Sequence, residues 1–84
     1  MNTLDRLVYM ANQIAHNMNA MADADDVIAM VADHIHQFWD PRMMNMIMTH
    51  VASGGEGLEP VALAALQRLA AQLKPTAAAD TAAG

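Results

Sequence analysis

The segment that decides the fold is Phe38-Trp39-Asp40-Pro41-Arg42-Met43. Asp40 is a favourable residue directly before a helix, because its carboxylate can accept hydrogen bonds from free backbone N–H groups. Pro41 suits the first helical position, where the missing N–H is not needed. The pair therefore predicts that one helix ends at about Trp39 and that another begins at Pro41.

On the N-terminal side of this break, the apolar spacing predicts two helices, over about 3–22 and 24–39. Thr3 and Asp23 are the expected N-caps. Apolar residues recur three and four positions apart, which is typical of helices packed along one another. These residues are Leu4, Leu7, Ala11, Ile14, Met18 and Met21 in the first helix, and Val27, Val31, Ile35 and Phe38 in the second.

On the C-terminal side, a third helix is predicted over 41–52 and a fourth from Pro60 to about residue 74. Between them, residues 53–57 carry three glycines, and we expect a flexible loop in which Gly54 or Gly55 adopts the left-handed conformation. Residues 76–84 hold no large apolar side chain and are expected to be a disordered tail. The sequence thus predicts an all-α protein, a small bundle of about four short helices over residues 1–75 with a disordered tail over 76–84.

Composition limits the function. The chain has 84 residues, a net charge of −5, four cations and no cysteine. The absence of cysteine excludes thiolate zinc sites and cysteine-ligated iron–sulfur clusters. Four cations are too few to follow a phosphate backbone, so nucleic-acid binding is not expected. No apolar run approaches the ~20 residues of a membrane span, and no secretory signal is evident. We therefore expect a cytoplasmic protein without membrane contact.

The titratable side chains indicate no catalysis. His34 and His36 are two positions apart on a helix, so they point in different directions. Asp33 and His36 do share a face, but two ligands make a poor metal site. We expect no catalytic residue, no metal site and no cofactor bound by this chain.

The third helix is apolar on more than one side. Met44, Ile47, Met48 and Val51 form one face, whereas Met46 points away from it and Met43 lies at its edge. Either this helix is buried within its own bundle, or one side contacts a partner, for which flexible methionines are well suited. The sequence leaves both interpretations open.

The corner is the predicted docking site. Trp and Arg are enriched among the residues that dominate binding energy at interfaces, so Trp39 and Arg42 are candidate contacts, while Phe38 is expected to fill the corner. We expect Trp39 to point outward, and the alternative is that Phe38 and Trp39 both fill the corner. The predicted partner-binding residues are Trp39, Asp40, Pro41, Arg42, Met43 and Met46.

Two segments carry a specific resemblance to a known family. They are Met10-Ala11-Asn12-Gln13-Ile14-Ala15 and the corner segment 38–43. A third segment, Gly54-Gly55-Glu56-Gly57-Leu58 before Pro60, follows them in the same order. Over about residues 4–73 the chain resembles the delta subunit of soluble NAD-dependent formate dehydrogenase.

The resemblance implies a non-catalytic small subunit that supports cofactor insertion, assembly or stability of a cytoplasmic complex oxidising formate to carbon dioxide. It also implies an alpha (catalytic) subunit with a molybdenum or tungsten bis-pterin guanine dinucleotide (bis-MGD) centre and iron–sulfur clusters. Beta and gamma subunits would carry FMN, further clusters and the NAD site. An autonomous helical adaptor with no redox partner is the alternative, and a small metal-binding protein using Asp33 and His36 is a third possibility.

Overall fold

Four helices account for most of the chain. They lie where the apolar stripes predict them, and the third and fourth each begin at a proline. The structure is a computed structural model that describes residues 2–73. Its elements are α1 (Thr3–Asn19), α2 (Ala24–Phe38), α3 (Pro41–Ala52) and α4 (Pro60–Leu73). Residues 2–73 contain no strand, so the all-α prediction is confirmed. The predicted tail over 76–84 lies outside the described residues.

The start of α3 is as predicted, but the start of α1 is not. Asp40 Oδ1 accepts a hydrogen bond from the Met43 backbone N–H at 2.9 Å. In α1, the cap is Asn2 rather than Thr3, because Asn2 Oδ1 accepts from the Asp5 N–H at 2.8 Å. Asp23 occupies the N-cap position of α2 but makes no side-chain capping hydrogen bond.

Helix α1 ends at Asn19, earlier than its apolar stripe suggests. Met21, the last residue of that stripe, is 70% exposed. The chain must reverse direction over residues 20–23 so that α2 can pack back along α1, and this reversal carries Met21 away from the core. Helices joined by so short a connection lie antiparallel.

The most extensive helix contact is between α2 and α4, followed by the contact between α1 and α2. Helices α1 and α4 each pack against the three other helices. Alanines from α1, α2 and α4 are buried at these contacts, and such small side chains allow the helix axes to approach closely. The largest fully buried side chains are Val27, Val31, Ile35, Ile47, Leu66 and Leu69. In the described part of the chain, no helix has the length and apolar character that crossing a membrane requires.

The glycine-rich loop between α3 and α4 packs against the bundle, and its flexibility stays a prediction. Gly55 is buried, and its N–H donates to the His50 carbonyl at 2.9 Å. Its φ of +66° is the left-handed conformation expected at this position, and a Cβ here would lie 2.7 Å from Leu63 Cδ1. The glycine therefore lets the backbone pack directly against α4.

Candidate docking surface

The corner between α2 and α3 orients its two aromatic side chains in the reverse of the predicted way. Trp39 is buried, with 7% of its surface exposed, whereas Phe38 is 69% exposed. The reason is that α2 ends at Phe38. Trp39 has extended backbone, with φ −89° and ψ 137°, so the helical rotation of about 100° per residue does not set its direction. The expectation that Trp39 points outward is wrong, because this side chain fills the corner.

The other predicted contact residues are divided between surface and core. Asp40, Pro41 and Arg42 are exposed. Met43 and Met46 are half-buried and pack against the hydrophobic core. Asp40 is also engaged in capping α3. Binding of a partner by these residues stays a prediction.

The methionines of α3 are partly covered by their own bundle. Ile47 is the only fully buried residue of this helix. Met44 and Met48 line a depression that α3 forms with the end of α4, while Met46 lines another that includes Leu4 of α1. Met46 therefore lies on a different side of α3 from Met44 and Met48, as predicted, and this side faces Leu4 of α1.

A groove between α1 and α2 holds three of the large exposed apolar side chains. Of the five large apolar side chains that are exposed within residues 2–73, Tyr9, Met10 and Phe38 lie at this groove. It has a volume of about 370 Å³ and is also lined by Trp39 and Met43. Exposed apolar side chains that gather at one groove make it the candidate interaction surface of this chain.

The Phe38 ring is supported by a neighbour on the same helix. His34 lies one turn earlier, and the two ring centroids are 4.7 Å apart at an interplanar angle of 41°. Both side chains belong to the regular helix α2, so the backbone that carries the exposed Phe38 ring is ordered. Sequence reasoning missed this role of Phe38, since it placed the end of α2 one residue too late.

A set of hydrogen bonds joins α1 to the loop before α4. The Asn12 carboxamide donates to the Gly57 carbonyl at 2.9 Å and accepts from the Glu59 N–H at 2.9 Å. His16 Nε2 lies 2.8 Å from a Glu59 carboxylate oxygen. We refer to Asn12, His16 and the segment 57–59 as the polar clamp.

Sequence reasoning also missed the polar clamp. A signal was present, because asparagine is unfavourable in a helix interior and Asn12 directly follows a core alanine. A second histidine supports the same loop: His50 Nε2–H donates to the Glu56 carbonyl at 2.7 Å. His16 and His50 thus have structural contacts.

The remaining titratable residues do not converge. Asp33 and His36 are both exposed on α2. Within residues 2–73, no group of three or more histidine, aspartate and glutamate side chains could hold a metal ion. The expectation that this chain binds no cofactor stays a prediction.

The comparisons with known proteins give one family. A family model described as "NADH-dependant formate dehydrogenase delta subunit" matches residues 6–66. The matched range extends from α1 into α4, so it includes the groove, the corner and the polar clamp. No curated protein sequence and no solved structure matches the chain.

Proposed function

The chain belongs to the delta-subunit family of NADH-dependent formate dehydrogenase, and from this membership we propose that it is a non-catalytic accessory subunit. In this role it binds the large catalytic subunit in the cytoplasm and supports cofactor insertion or the stability of the assembled complex. Formate oxidation and NAD reduction are assigned to the partner subunits. The contribution of this chain is protein binding.

The exposure of Phe38 is the observation that carries this proposal. The core of the bundle closes with Trp39 at the corner, and Phe38 is left outside it, next to Tyr9 and Met10. A short chain with a small core gains stability from each large side chain that it buries. An aromatic residue held in solvent on a regular helix therefore favours a role in binding over a role in folding.

The composition of the chain supports an accessory role. It has no cysteine and therefore offers no thiolate ligand for an iron–sulfur cluster. The resemblance assigns those clusters to the partner subunits, and this chain would act on them only by positioning or stabilising the proteins that carry them.

The test is deletion of the gene in its native host. We expect the purified enzyme from the deletion strain to show lower formate-dependent NAD reduction and less molybdenum or tungsten per catalytic subunit, with both restored by the wild-type gene. Size-exclusion chromatography of the restored enzyme then separates a permanent subunit, which co-elutes, from a maturation factor, which does not. Full activity, full metal content and an intact complex without this chain would contradict the proposal.

A further inference from the structure

We draw no further inference here: the strongest candidate, the apolar groove between α1 and α2 that Tyr9, Met10 and Phe38 line, carries none because nothing in the structure shows what covers it.

Discussion

The corner at 38–43 and the loop at 53–59 both connect helices, and in each the observed contacts differ from those that the residue types suggest. The loop contains three glycines but is held by hydrogen bonds from α1, α3 and its own backbone. The corner contains two aromatic residues but buries only one of them. The conformation of a connection thus depends on its distant contacts, and the exposure of a side chain depends on where its helix ends.

The two connections also differ in the interaction that stabilises them. Trp39 stabilises the corner by burial, which is non-directional and scales with area. Asn12 and His50 stabilise the loop through hydrogen bonds, whose net contribution is about 0.5–1.5 kcal/mol each. Removal of the Trp39 side chain should therefore lower the stability more than removal of either hydrogen-bonding side chain.

The largest effect is expected for Trp39→Ala. Removing a buried tryptophan leaves a cavity and should lower the free energy of unfolding by about 3–5 kcal/mol, which approaches the whole stability of a domain this small. Phe38→Ala, one position away, should change it by less than about 1 kcal/mol. Urea unfolding followed by circular dichroism measures both. Similar losses of unfolding free energy for the two variants would show that Trp39 and Phe38 contribute equally to the stability of the corner.

A smaller effect is expected for Gly55→Ala. The positive φ and the approach to Leu63 should together lower the free energy of unfolding by about 2–3 kcal/mol. The control is the same substitution in a Leu63→Ala background, because Leu63 Cδ1 is the atom nearest to the added Cβ while the backbone φ is unchanged. The difference between the two backgrounds isolates the contact with Leu63, and no difference would show that the loop can move away from α4.

Asn12→Ala should cost about 1–2 kcal/mol through the loss of its two hydrogen bonds. Asn17→Ala, on the exposed surface of the same helix, is the matched control. Hydrogen exchange should show faster exchange of the Glu59 amide in Asn12→Ala alone. If that amide is equally protected in both variants, the polar clamp does not hold the loop.

The smallest effect is expected at the contact of His16 with Glu59. Both side chains are largely exposed, and pairs of this kind contribute about 0.2–1 kcal/mol. A double-mutant cycle with His16→Ala and Glu59→Gln measures the coupling, which salt should reduce. A coupling that is large and insensitive to salt would place this pair among the main stabilising contacts of the loop.

Much of the fold was predictable from short-range patterns. Asp40 and Pro41 mark the start of α3 because capping and proline geometry are local properties. The apolar stripes locate the helices because burial on one face repeats with the helical period. The predicted end of the domain at residue 75 and the predicted disordered tail over 76–84 stay predictions, because residues 74–84 lie outside the described part of the chain.

The sequence predicted where the candidate site lies in the chain but not which of its side chains are exposed. The corner was identified from its residue types, yet the exposed aromatic is Phe38, and its companions Tyr9 and Met10 come from a helix about 30 residues away in the sequence. No periodicity within one helix shows which of its exposed residues will lie beside another helix.

The helices, their order and the family follow from local propensity and from residue identities along the chain. Tertiary packing selects the aromatic residue that fills the corner, lets Asn12 hold the loop, and forms the apolar groove between α1 and α2. Those outcomes depend on a difference of one residue in the end of a helix and on contacts between residues 45 and 47 positions apart. Local patterns carry no information about either.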